Sequence, residues 1–470
     1  GAGPGAGGVG PEAGGAGPPS EDAADAPEAE AKPPPALVRQ LTKGLRRRPS
    51  DVEDLGRFCQ DLRGGWHDIA ALRQRRHRAV MKGMHFMRKF LLKDKCKALY
   101  DIGEDGATIF FEIWYSSADT KIRATAKNTA REMIDRYEAH LSKIRGNKKP
   151  SDVFFDYLFM ARCRHEMDED ATSMLEVLDE VFKRNGFKDT NKLLGVDVAK
   201  IDDVPVEEWV VLIVRIMILE FCKILFGNRY PIQWGLKEAF GSLRKLELTP
   251  PPYDDALRFH ESYYCSTHIA FAITAYDSIR LDPKWVPWLT NYMRRSLEYW
   301  MDLAWVRLKV PSTYVDLDGV AEVCDVLRGA GATDANDRLV CSSSLWLLDQ
   351  QNSNGSWPLW FYGAADKDLW GDSTENSYNK IHPTWVATQC LRDRNFELGR
   401  RGNQLWGEFM AKTLRVSDLA TRAVPRIKYP PLEELKFRRK KKISRSTSAP
   451  RAKSKPPAPP ALSKTTSRRG

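Results

Sequence analysis

Apolar positions recur at the three-to-four-residue spacing of a helix through most of residues 38–425, and runs of Val and Ile at period two are scarce, so the expected fold class is all-α. Residues 51–62 open on Asp51, a residue type that caps helix N-termini, and continue with spaced apolar positions. Residues 70–92 form a basic amphipathic stretch, with Met81, Met84, Phe86 and Met87 set against Arg73, Arg75, Arg76, Arg78 and Lys82. This stretch is expected to pack on the helices that follow; its pattern also suits a membrane surface or a partner's groove. Residues 107–114 and 122–144 continue the helical pattern. From about residue 150 to residue 425, longer apolar runs alternate with breaks marked by Pro205, Pro231, Pro250, Pro283, Pro287, Pro311, Gly329, Gly331, Gly355 and Pro383. The longest apolar stretch, residues 209–226, is interrupted by Arg215, Glu220 and Lys223. Charge at that density points to a buried core helix, and no transmembrane segment is expected.

Both ends of the chain lack this periodicity. Residues 1–37 are Gly, Ala, Pro and acidic side chains with almost nothing to bury, which predicts a disordered acidic segment. Residues 426–470 are rich in Ser and Pro and carry fifteen Lys or Arg against two Glu. The formal charge of the whole chain is +11, so the basic character belongs to this disordered tail and the rest sums to about −2. Composition therefore gives no reason to expect a basic groove in the folded body. The tail suits an acidic protein surface, nucleic acid or an anionic membrane as partner, and the cluster from Arg438 to Lys442 also fits a nuclear localisation signal. Between the ends, an N-terminal helical region (38–148) is expected to precede a helical-repeat domain (149–425). The eight Cys include no C-x-x-C pair, which predicts free thiols in a reducing, intracellular and cytoplasmic setting.

The C-terminal half contains an internal repeat. THIAFAITAY from Thr267, DGVAEVCDVL from Asp318 and TWVATQCLRD from Thr384 align without gaps. Each places Ala at the fourth position (Ala270, Ala321, Ala387) after a β-branched residue (Ile269, Val320, Val386) and opens on a polar residue suited to an N-cap. Each is followed by a second helical run, at 288–302, 337–349 and 404–414. Hairpins of this length are the unit of stacked helical architectures. After the second repeat comes the sharpest spacing in the chain: Trp346 and Leu347, then Gln351, then Gly355 and Trp357. Gln351 near a helix terminus can bond unpaired backbone groups, Gly355 permits a left-handed turn, and the Trp357 ring can cover the helix end.

These residues resemble the QW motif of squalene and oxidosqualene cyclases, and VDLDGVAEV before them is similar to the aspartate-rich segment that begins an inner helix there. The resemblance spans 100 to 150 residues. It implies an α/α toroid of helical hairpins, of the kind shared by terpenoid cyclases and protein prenyltransferases, with an isoprenoid-like substrate in its cavity. The repeat register sets Asp316 and His382 at equivalent positions, and the resemblance implies that these, with Asp318, stand at inner-helix starts around one mouth of the cavity. Asp318 then matches the general acid of the cyclases, although Gly319 replaces the Asp that follows it in their pattern. Alternatively, Asp316, Asp318 and His382 match the zinc ligands of prenyltransferase β subunits, where Cys occupies the place of Asp318. The substitution shifts preference toward harder metals, so the expected cofactor is a divalent ion, Zn or Mg. His268 would line the same mouth and help to bind an anion. The same side chains also suit a structural part, with Asp316, Asp318 and Thr384 as caps and the two histidines as satisfied polar groups. The protein would then be a non-catalytic helical-repeat scaffold tethered by its basic tail.

Overall fold

Helix follows helix, as the periodicity requires. The computed structural model describes residues 68–251, 256–309, 315–358, 377–396, 401–419 and 426–427. The expected helix at 51–62, the acidic N-terminal segment and the basic tail beyond Ile427, with its 438–442 cluster, lie outside the described residues; Arg426 and Ile427, expected to be disordered, form a strand. The helices are α1 (Ile69–Ile102), α2 (Asp105–Ser116), α3 (Thr120–Ile144), α4 (Pro150–Glu166), α5 (Thr172–Arg184), α6 (Val206–Phe226), α7 (Leu236–Leu243), α8 (Ala256–Thr274), α9 (Pro287–Lys309), α10 (Leu317–Gly329), α11 (Arg338–Gln350), α12 (Ser377–Leu391) and α13 (Arg401–Ser417). Two short strands, Glu247–Leu248 and Arg426–Ile427, pair in parallel, and the fold is all-α.

Local chemistry sets several helix boundaries. Asp119 caps α3 by accepting from the Ile122 N–H at 2.9 Å, and Asp337 caps α11 by accepting from Leu339 and Val340. Pro150 opens α4, where its missing N–H costs nothing. The basic stretch ends where the periodicity ended: α1 is interrupted at Lys93–Cys96, and Asp94, Lys95 and Cys96 take positive φ. Its apolar side, including Ala79, Val80, Met84 and Met87, is buried, and α12 is its principal partner. The apolar residues of α6 are core as well, with Trp209, Leu212, Ile213, Ile216 and Phe221 buried. No described helix is long and apolar enough to cross a membrane.

Successive contacts link α2 to α4, α4 to α6, α6 to α8, α8 to α10 and α10 to α12. The last of these returns to the first. Gln389 Nε2 donates to Glu112 Oε2 at 2.9 Å, Arg392 Nε to Ser116 Oγ at 3.0 Å, and the Asn395 N–H to the Ser116 carbonyl at 2.8 Å. The repeat is visible in this circuit as buried small side chains, since Ala270, Ala321 and Ala387 allow close approach on α8, α10 and α12. The expected second helices are present as α9, α11 and α13.

Two expectations about helix starts are corrected. Thr267 and Thr384 do not cap helices, because α8 begins at Ala256 and α12 at Ser377, placing both threonines in helix interiors. Pro383 reads as a break in the sequence, yet α12 runs through it; only the bond to the Asn379 carbonyl is forfeited. Thr384 Oγ1 instead accepts from the backbone N–H of Trp357 at 3.0 Å.

The Gln351–Trp357 turn works as its spacing implied. Gln351 Nε2 donates to the Gly355 carbonyl at 3.0 Å and to the Ala79 carbonyl of α1 at 2.9 Å. Trp357 Nε1 donates to the Leu347 carbonyl in the last turn of α11 at 2.7 Å. Gly355 has φ +94°, and a Cβ there would meet the Lys82 carbonyl oxygen at 2.5 Å. Gly355→Ala is therefore expected to destabilise the protein by about 1–3 kcal/mol, the range of a strained left-handed residue. Urea denaturation of the two proteins measures this, and unchanged midpoints would show that the turn yields freely.

Candidate functional site

Asp316 is the N-cap residue of α10 and Asp318 lies in its first turn. Glu322 follows Asp318 by four residues and Asp325 by seven, so helical geometry alone aligns three acids along one face. Across from them α12 presents Tyr378, His382, Trp385 and Gln389, again at helical spacing.

The two faces meet at His382, which is 6% exposed. Its Nδ1 lies 2.9 Å from Asp318 Oδ2, and its Nε2 lies 3.7 Å from Glu322 Oε1. The second Glu322 oxygen accepts from Thr267 Oγ1 at 2.7 Å. Tyr378 lies nearly parallel to the imidazole with ring centres 4.8 Å apart, and Trp385 stands edge-on at 5.5 Å. Burial pulls the His382 pKa down, but Asp318 in contact and Glu322 and Asp105 beyond outweigh it and raise it to about 9. His382 is thus an imidazolium held between carboxylates. Burial pushes Glu322 up to about 7 against the pull of that imidazolium.

His382 and Glu322 line a cavity of about 320 Å³. Every helix of the circuit contributes to its wall. Phe155 and Phe159 come from α4, Val210, Val211, Val214 and Arg215 from α6, and His268 and Phe271 from α8. Val211 is 55% exposed. α2 adds Asp105, Thr108 and Glu112, with Glu104 just before it. Tyr276 and Asp277 reach the wall from a strained turn, in which Ala275, Tyr276 and Asp277 take φ of +47°, +55° and +59°. The turn is held from several sides: Ser278 Oγ and Arg162 Nη2 donate to the Ala275 carbonyl at 2.6 and 3.2 Å, and Arg392 and Arg394 donate to Asp277 at 2.7 and 2.9 Å.

Of the four residues singled out in the sequence, Asp318 and His382 are brought into contact. Asp316 points elsewhere: its carboxylate accepts from the Tyr263 hydroxyl and lies 3.7 Å from His260 Nε2, and it is not part of the cavity wall. Burial and the neighbouring Asp318 charge push its carboxyl upward. His268 does line the cavity, but its Nδ1 faces the Tyr264 carbonyl at 2.8 Å, and burial lowers its pKa to about 4. A neutral imidazole whose Nδ1 is taken up by a backbone carbonyl offers an anion no positive charge.

The fit to a divalent metal fails on the donor set. Among the described residues no group of three or more His, Cys, Asp or Glu is placed to hold a metal ion. Both His382 nitrogens face carboxylates as proton donors, and Asp316 is engaged by Tyr263. The seven described cysteines are free, as their spacing implied, and Cys59 lies outside the described residues.

Sequence reasoning missed Glu322 and the acids of α2. Glu322 was legible as the i+4 neighbour of Asp318. Glu112 carried a fainter signal, a carboxylate flanked by Phe111 and Ile113 in an otherwise apolar run. Burial raises it to about 8.

These shifts set the sign of the protein's pH response. His382 has a folded pKa above its unfolded value, so its contribution is complete below about 6.5 and is lost as the pH rises through about 9. The raised carboxyls of Glu322 and Glu112 also favour the fold at low pH and lose that effect as the pH climbs through 7 and 8. Above about pH 6.5, where the lowered His268 is neutral in both states, stability is expected to fall toward pH 9, with His382 accounting for about 3 kcal/mol of the loss. Urea midpoints across this range test it. His382→Gln should flatten the segment between pH 6.5 and 9, and a midpoint that rises with pH would contradict the assignment.

Searches of protein-family models, curated proteins and solved structures find no match to this chain, so the reading of its site rests on its own geometry.

Proposed function

We propose that this protein is an enzyme of the α/α-toroid type. It binds an apolar, isoprenoid-like substrate in the cavity and transfers a proton to or from it through Glu322 and His382. The observation that carries this reading is the buried His382 imidazolium, held between Asp318 and Glu322 on the cavity wall. The helix circuit that returns from α12 to α2 supports the toroid, because the cavity lies where its six helices converge.

A Glu322 pKa of about 7 leaves this carboxyl half protonated at neutral pH, so it can serve as acid or as base. His382 keeps a positive charge beside whichever carboxylate forms and stabilises it. Thr267 fixes the orientation of Glu322, while Tyr264, whose hydroxyl donates to Asp318 Oδ2 at 3.4 Å, helps to fix Asp318. The faces of Tyr276, Tyr378 and Trp385 would stabilise positive charge developing on a hydrocarbon skeleton.

Prenyl transfer is the weaker of the two enzyme readings. A diphosphate leaving group needs a cluster of free cations, and in this cavity Arg392 is paired with Asp277 and Arg215 with Asp152. A volume of about 320 Å³ lies at the small end of ligand pockets and suits a short isoprenoid chain. Geraniol and farnesol are the probes to use. Incubated with the protein in D₂O, one of them should yield a carbon-deuterated, isomerised or cyclised product detectable by mass spectrometry. Glu322→Gln and His382→Gln should each lower the rate at least about 100-fold, the usual contribution of a positioned acid or base. A Glu322→Gln protein that retains full activity would remove Glu322 from the mechanism, and no product from wild type with either alcohol would sink the reading.

A further inference from the structure

Charge is divided unevenly along the chain. Residues 68–149 hold nineteen Lys or Arg against ten Asp or Glu, whereas residues 150–425 hold 31 against forty. The near-neutral sum of the chain before its tail thus conceals a basic part, and α1 displays it. Arg78, Lys82, His85 and Lys89 follow one another at steps of four, three and four residues, so helical geometry sets them in one stripe roughly 17 Å long. All four are exposed, because the opposite side of the helix, with Val80, Met84 and Met87, is buried against α12 and the core. Past the stripe, Lys93, Lys95 and Lys97 are exposed around the interruption of the helix.

The protein does not consume these charges. Arg78, Lys82, Lys89, Lys95 and Lys97 have no carboxylate within ion-pair distance among the described residues. Beside the stripe, Glu132 is shared by Arg88 at 2.8 Å and Arg136 at 3.0 Å, which leaves that trio positive as well.

The surroundings of the stripe select its partner. The exposed large apolar side chains among the described residues are Val211, Leu405 and Val416, none of them within residues 68–149. A folded protein partner calls for an apolar or aromatic anchor and few lysines at the centre of the contact. A helix lying in a membrane needs its apolar face free, and that of α1 is buried. Single-stranded bases stack on exposed rings, whereas Phe86 and Phe90 pack against the core. Unpaired Lys and Arg in a row without an apolar flank match a row of phosphates.

We propose that the exposed face of α1 binds the backbone of a nucleic-acid duplex, with Arg78, Lys82 and Lys89 each neutralising a phosphate and no base being read. The face is separate from the cavity, so the inference stands independently of the reaction proposed there. Contacts of this kind are insensitive to sequence and weaken steeply with salt.

Fluorescence anisotropy of the whole chain with a labelled DNA duplex of about 20 base pairs, between about 50 and 200 mM salt, tests the proposal. The triple variant Arg78→Gln, Lys82→Gln, Lys89→Gln keeps a good helix former at each exposed position and so keeps the fold. It should bind about tenfold more weakly or worse, and the slope of log K against log salt should become shallower by about three, close to one per lost phosphate contact. A control, Lys183→Gln, Arg184→Gln, Lys188→Gln, removes the same charge from exposed positions at and just beyond the end of α5 and should stay within about twofold of wild type. Two duplexes of unrelated sequence should bind alike. An α1 variant that binds as tightly as the control would overturn the proposal and assign the contact to the basic tail or another surface, and a wild-type chain that binds no duplex would overturn it outright. Sedimentation with phosphatidylserine–phosphatidylcholine vesicles tests the rival partner: vesicle binding lost in the α1 variant, with duplex binding unchanged, would give this face to a membrane and overturn the proposal.

Discussion

Two arginines just beyond α12 hold the helix circuit together. Arg392 and Arg394 together reach Asp277 at the end of α8 and Asp325 on α10, and Arg392 also bonds Ser116 at the end of α2. All four charged side chains are nearly excluded from water. In such a setting the loss of one partner leaves a buried charge uncompensated, at about 3–5 kcal/mol. The knot therefore fixes the position of α12 relative to α8, α10 and α2 at once. It also holds the left-handed turn at Ala275–Asp277 that brings Tyr276 to the cavity wall. A second knot, Arg76 of α1 with Asp334 and Asp393, and Arg328 with Asp334, binds α1 to the same end of the molecule.

The cavity above this knot is governed by how its charges are compensated. His382 is favourable as a cation because Asp318 touches it and Glu322 stands beyond; isolated in the same apolar surroundings it would be neutral, as His268 is. Glu322 gains a pKa near neutrality from burial tempered by that cation. Along α2 burial dominates instead, and it raises Glu104 and Glu112 in spite of the pull of Arg392 and Arg162 on Glu112. One cavity wall thus carries a matched acid–base pair, and the other carries acids whose pKa is set chiefly by burial.

Much of the fold was legible because its cause is local. Apolar spacing located α2, α3 and the run of core helices, and the interrupting charges of residues 209–226 identified a core helix without its surroundings. The Gln351–Gly355–Trp357 spacing also encoded its own geometry, because the bonds that close the turn, from Gln351 to Gly355 and from Trp357 to Leu347, lie within about ten residues. Helix starts were less legible. Pro383 carries a strong local signal for a break, but the buried face of α12 outweighed the loss of one backbone hydrogen bond. Thr267 has the side chain of a cap, but its hydroxyl instead bonds Glu322 on another helix.

The sequence by itself determined an all-helical chain and the proximity of Asp318 to the start of α10, since each follows from periodicity within one segment. Pairing of Asp318 with His382, 64 residues apart, was implied by the repeat and its family resemblance and takes the form of a hydrogen bond. Tertiary structure alone decided that Asp316 turns to Tyr263, that Glu322 completes the site, and that Glu104, Asp105 and Glu112 face it from more than two hundred residues away. Burial and opposing charge set those side chains' protonation, and both depend on which helices meet across the cavity, a long-range property that no spacing along the chain records.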